Sequence, residues 1–261
     1  MGDDGRMALS DHFRELRARV LKVALTFLVV FVVSLFFFDP LFDFVYAPYG
    51  EAREALPPNS SLPTTSGAGG GLMLYLKLCG FAALIVTCPI WLYQIWAFIM
   101  PGLHPSEKRW TRVFVVIAVP LFLVGVILGW LTLPKGLEVL ISFNPDALTN
   151  LIDFNDYLQF LTRTLLVFGL AFEIPVFVVM LNRAGVVKGK TLAQYRPWII
   201  IGIFVFAAVA TPSTDPFTMT IMAVPMVLLY GVSEVMARVH DRRKAERSPN
   251  AGLSPDEASP L

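Results

Sequence analysis

Three carboxylates in this 261-residue chain stand where ordinary surface acids do not. Glu15 precedes the first long apolar run, Glu107 lies in a short basic connection between the second and third, and Glu173 sits inside the fourth, between Leu165 and Met180. Glu15 and Glu107 at one level could hold a ligand carrying two guanidinium groups, because arginine and carboxylate pair through a bidentate fork. Each also has a plain structural role open to it. Glu15 has Arg19 at i+4, a surface pair worth about a few tenths of a kcal/mol. Glu107 follows Ser106 and suits the first turn of a helix, whose end is positive. An ionised Glu173 facing lipid would cost several kcal/mol, so it should face protein or a water-filled cavity, or else be protonated. On a continuous helix Thr162 and Gln159 fall about 20° and about 40° from it, forming one polar stripe. Pro175 frees the Ala171 carbonyl and should bend the helix there. Both a polar groove and a hydrogen bond to a neighbouring helix fit that stripe.

Other chemistry finds little footing. His12, His104 and His240 pair with no intramembrane Ser or Cys and form no two-histidine zinc motif. Cys79 and Cys88 are about 13 Å apart along a helix, too far to bridge, and read as packing residues. No catalytic residue, metal ligand or cofactor site is expected.

The elements that must position these residues are membrane spans. The chain is 56% hydrophobic and 16% charged, whereas a soluble domain has about half and about a quarter. The excess falls in blocks, and the expected fold is an all-α integral membrane bundle of six transmembrane helices. The spans are placed at 20–38, 72–96, 113–133, 157–181, 197–210 and 217–233, within a membrane domain of 20–236. A cytoplasmic segment, 1–19, precedes it, and a charged tail, 237–261, follows, with about its last fifteen residues expected to be disordered. Asp39-Pro40 should end the first span, leaving a loop with a short helix near Leu41–Tyr46; Pro134 should end the third. No cleavage site follows the first block. The fifth and sixth spans are short, reaching about 21–26 Å against roughly 30 Å of hydrocarbon. The N-terminal segment, the second–third and fourth–fifth connections and the tail carry sixteen Lys and Arg; the alternate connections carry only Arg53 and Lys135. This alternation puts both termini in the cytoplasm, N-in/C-in, and Glu15 and Glu107 at the same surface. No internal repeat is found.

Several segments then resemble one family. His12-Phe13-Arg14-Glu15-Leu16-Arg17-Ala18-Arg19 is similar to the opening of the TatC family of twin-arginine translocase proteins. So are Tyr93 to Leu103 (YQIWAFIMPGL) with Ser106-Glu107-Lys108-Arg109, and Phe168 to Val176 (FGLAFEIPV). Arg196-Pro197-Trp198 and Thr211-Pro212-Ser213 with Asp215, ahead of Ala223-Val224-Pro225-Met226, continue the match in order. The resemblance implies a concave bundle in the inner cell membrane, a core subunit of a Sec-independent translocase that receives the Arg-Arg pair of folded precursors. It places signal-peptide binding on Glu15 and Glu107 with Phe98 beside them; Arg17 and Gln94, in the same motifs, complete the candidate set. It makes Glu173 the intramembrane carboxylate and Pro48 a proline of the first outer loop. It implies single-span TatA and TatB partners, twin-arginine precursor proteins, a homo-oligomeric receptor complex, use of the proton-motive force, and no nucleic acid. The turn before the sixth span departs from the family's Thr-Pro-Pro-Asp form by one extra residue, and Met219 stands where a glutamine is common. Two rival readings are a proton-coupled transporter using Glu173 and an inert scaffold for partner helices. The first usually shows inverted repeats.

Overall fold

The computed structural model of the protein describes residues 9–58, 60–99, 108–145, 149–183, 185–210 and 216–246, and most of them are helical. The first helix, α1 (Leu9–Ser34), does not end its run at Asp39-Pro40. It tightens into one 3-10 turn at Leu35–Phe37 and resumes as α2 (Phe38–Glu54). Pro40 falls in the first turn of α2, where its missing N–H forfeits no intrahelical bond, so the expected stop acts as a start. Pro48 is buried within α2 next to Tyr49, past the far end of α1 from Glu15.

A short strand, β1 (Ser61–Thr64), leads to α3 (Gly70–Val86) and α4 (Cys88–Ile99), which share the second apolar block but bend by 58° between them. The bend has a local cause. Pro89 can donate no hydrogen bond to the preceding turn, and the Thr87 hydroxyl turns back to the Ala83 carbonyl at 2.7 Å. The Trp91 indole then takes up the Leu84 carbonyl at 3.0 Å.

The 35-residue α5 (Lys108–Ser142) passes through Pro120 and continues beyond Pro134, where the sequence suggested an end. Leu133, Leu137 and Ile141 are all buried, and the first two pack into the core that α5 shares with α2, α3 and α6. That packing outweighs one lost helical bond. The connection after α5 contains a strand, β2 (Asn150–Asp153), paired parallel to β1 in the register Ser61↔Asn150 to Thr64↔Asp153.

The fourth apolar block is two helices, α6 (Phe154–Phe172) and α7 (Ile174–Arg183). Gly185, at φ +76°, then reverses the chain, with Val186 N–H donating to the Leu181 carbonyl at 3.0 Å. A short α8 (Gly189–Gln194) and the 15-residue α9 (Arg196–Ala210) follow. The last helix, α10 (Pro216–Glu246), is 31 residues long and so not short, although its apolar part gives way to charge near Ser233. Its polar extension is tied down: Asp241 accepts from the Asn182 amide at 2.8 Å and from the Gly189 N–H at 2.7 Å. Thus the first part of the expected tail is helix; its last fifteen residues lie outside the described residues, as does Asp215.

The core has three parts. An aromatic knot of Tyr49, Phe154 and Tyr157 joins α2 to α6, with the Tyr157 hydroxyl on the Val45 carbonyl at 2.7 Å and Tyr49 on the Ser61 hydroxyl at 2.9 Å. A second part packs α6 against α9 and α10, and a third packs α4, α5 and α7. Outside these, apolar side chains such as Leu25, Val29, Val116, Leu131, Val209 and Leu228 face outward. Among the described residues, four helical segments are long and apolar enough to cross a bilayer: Phe13–Glu54, Val116–Ser142, Phe154–Arg183 and Met219–Lys244. The bent pair α3–α4 makes a fifth if it counts as one span. The protein is a membrane-embedded helical bundle.

Candidate functional site

α1 meets α4 near the N-terminal end of α1, and polar groups join them there. The Arg19 guanidinium donates from Nε to Glu15 Oε1 at 3.0 Å, and its Nη2 also contacts that oxygen. Its Nη1 reaches across to Gln94 Oε1 at 3.1 Å. Glu15 and Arg19 are one turn apart on α1, so their pairing was legible from spacing. The bond to Gln94, 75 positions away, was not. Arg19 is therefore the site residue that the sequence left in the background: it makes Glu15 and Gln94 one polar cluster.

Phe98 follows Gln94 by one turn on the same face of α4 and is half-buried. Arg17 is exposed on the opposite side of the α1 turn from Glu15 and Arg19. Glu107 lies outside the described residues.

Deeper in the bundle, Glu173 is the residue between α6 and α7. It is only 9% exposed, and neither carboxylate oxygen has a hydrogen-bond partner. The Trp96 indole is the polar group beside it, and Cys88 lies nearby. Of the other two residues of the expected stripe, Thr162 is half-buried and Gln159 is exposed. The Glu173 N–H bonds the Leu170 carbonyl at 3.1 Å, a tightened turn where α6 passes into α7. Thr164, not Thr162, is the buried hydroxyl of α6, also without a partner.

A second charged cluster escaped the sequence reading. Glu234 on α10 is 4% exposed and accepts from Arg196 of α9 through Nε at 2.9 Å and Nη2 at 2.7 Å. Arg238 joins from one turn on, at 2.5 Å. The Glu234–Arg238 spacing was the available signal. No group of three or more His, Cys, Asp or Glu side chains that could hold a metal ion occurs among the described residues.

A family model described as Sec-independent protein translocase protein (TatC) matches residues 11–225. The chain belongs to the TatC family. It is similar to the Sec-independent protein translocase protein TatC of Frankia casuarinae, 42% identical over 99% of this chain and 74% of the relative. The protein of the same description from Xylanimonas cellulosilytica is 41% identical over 94% of this chain and 89% of its own. Among solved structures, the crystal structure of a twin-arginine translocase receptor, TatC, superposes with a TM-score of 0.76 at 29% identity, covering 88% of this chain and all of that one. The chain is thus a translocase protein rather than an enzyme. Family membership accounts for the polar groups of a membrane bundle without requiring bond-making chemistry from any of them.

Proposed function

We propose that this protein is the receptor for twin-arginine signal peptides and the core subunit of a translocase exporting folded proteins across the cytoplasmic membrane. The observation that carries this reading is the Glu15 carboxylate at the α1–α4 junction, which already accepts a guanidinium that Gln94 helps to hold. An incoming arginine needs the same acceptors in the same fork. Glu107 supplies the second carboxylate, Phe98 flanks the peptide, and Arg17 lies at the edge of the site. A receptor by that name among the solved structures supports the assignment.

The topology that places this site in the cytoplasm has six spans with both ends inside. The candidates for these six are the four long apolar segments, the bent α3–α4 pair and the shorter apolar α9, and the sixteen-to-two distribution of Lys and Arg supports the orientation. Glu173, buried beside the Trp96 indole, serves as a polar point within the membrane that the apolar part of the peptide meets. TatA and TatB single-span subunits, twin-arginine precursors and further copies of this chain are its partners.

The test is site-directed crosslinking in membranes with a signal peptide bearing probes on either side of its Arg-Arg pair. Labelling should fall near Glu15 and Gln94 on α1 and α4 and near Glu107, and should vanish when both peptide arginines become glutamine. Unchanged labelling by that peptide, or by Glu15→Ala and Glu107→Ala variants, would reject the receptor in favour of a scaffold.

A further inference from the structure

The α9–α10 face carries a groove of about 640 Å³ whose two ends differ in chemistry. Ile200, Val227, Leu228, Val232 and Val235 line its length, and Arg196, Glu234 and Arg238 close one end. Along α10 the groove rises about 16 Å from Val227 to Arg238, close to the roughly 15 Å that one leaflet's hydrocarbon occupies. In the proposed topology the charged end falls at the level of the lipid headgroups. Trp198, 72% exposed, and Tyr195, also exposed, flank Arg196 in the way aromatic residues mark that level.

The charge at this end is unbalanced. Arg196 and Arg238 share one carboxylate, while their side chains remain 52% and 43% exposed. Lys190 and Arg242 line the adjoining depression together with Arg238 and Asp241. Four cationic side chains thus face two carboxylates, and Asp241 is already occupied by Asn182 and the Gly189 N–H. Glu234 is buried and holds both guanidinium groups in place, leaving their outward donors arranged for an anion. An apolar trough one leaflet deep, open to the bilayer and ending in paired guanidinium groups, matches an acyl chain attached to a phosphate.

We propose that the α9–α10 groove is a binding site for an anionic phospholipid, its acyl chain lying along Val227 to Val235 and its phosphate on Arg196 and Arg238. The lipid comes from the leaflet on the α8 side, cytoplasmic in the proposed topology. This site is separate from the α1–α4 junction and does not depend on signal-peptide binding.

The experiment is native mass spectrometry of the purified full chain in a neutral maltoside detergent, titrated with phosphatidylglycerol or phosphatidylcholine of identical acyl chains. Phosphatidylglycerol should be retained at about tenfold lower concentration, because both lipids offer a phosphate but only phosphatidylcholine adds a quaternary ammonium that this cationic end repels. Arg196→Gln with Arg238→Gln should bring it to the phosphatidylcholine level. Because removing those partners could unsettle Glu234, Gly231→Leu provides a second variant. Gly231 lines the groove, and a Cβ there meets nothing within 4 Å, so the leucine fills the trough and leaves the ion pairs intact. It should weaken phosphatidylglycerol retention by a similar factor. Equal retention of the two lipids by the unaltered chain would overturn the proposal. So would unchanged retention by Gly231→Leu. Displacement of the lipid by glycerol 3-phosphate at comparable concentration would show an anion site without an acyl chain, or occupancy by a partner's acidic group, and would also overturn it.

Discussion

Asp153 shows how one side chain joins two distant parts of the chain. As the residue before α6, it accepts from the Asn155 N–H at 2.8 Å, capping the helix, and from the Ser66 N–H at 3.2 Å, 87 positions away. The Ser66 contact first, and then Asn155, hold its carboxyl below the ordinary value of 3.8. The charged form is therefore favoured by folding. Its stabilisation is fully present above the unfolded-state pKa and is lost as pH falls through the lower folded-state value. Asp153→Ala should lower the stability of the detergent-solubilised protein by about 1 kcal/mol at pH 7, a typical loss for a helix cap. The gap in melting temperature between the two proteins should close as pH falls below about 4. A gap independent of pH would mean that the charge of Asp153 is irrelevant.

Between elements, the closest approach is that of α5 to α6. A Cβ at Gly125 would lie 2.5 Å from the Phe168 carbonyl oxygen and 2.9 Å from Gly169 Cα, and one at Gly169 would meet the Phe122 ring at 2.6 Å. Within a bilayer no hydrophobic drive presses helices together, so small residues that let backbones touch become the means of association. Gly125→Ala should therefore destabilise the bundle by about 1–3 kcal/mol, the usual range for overpacking a tight site. Gly136, on the same helix, has nothing within 4 Å of its Cβ position, so Gly136→Ala should be neutral or stabilising by up to about 1 kcal/mol. Thermal melts of both variants separate packing from helix propensity; equal effects would refute the close-contact argument.

Taken whole, the bundle is uneven in thickness. α9 has 15 residues and rises about 22 Å, whereas α5 and α10 have 35 and 31. With α9 as the fifth span of the proposed topology, a bilayer of roughly 30 Å hydrocarbon must thin or deform beside it. Under the proposed receptor function, that thinning would assist the passage of folded cargo. Inserting four leucines into α9 should then impair export of a reporter precursor while peptide crosslinking at the α1–α4 junction persists. Normal export by the lengthened protein would dismiss a role for thinning.

Residue order alone determined that this is a helical membrane protein, because apolar blocks of span length are a local property and need no partner to be recognised. Ordered motifs around Glu15, Phe98, Glu107 and Glu173 likewise made the family legible. The tertiary structure decided where helices end and which polar groups meet. Pro40 and Pro134 look like stops, yet α2 starts at one and α5 runs past the other, since a single lost hydrogen bond is outweighed by buried Leu133 and Leu137. The apolar block around Glu173 reads as one helix, yet packing divides it into α6 and α7 at a tightened turn on Glu173. Arg19 with Gln94, and Arg196 with Glu234, are separated by 75 and 38 positions. Local periodicity carries no information at such separations; only packing brings those groups within reach.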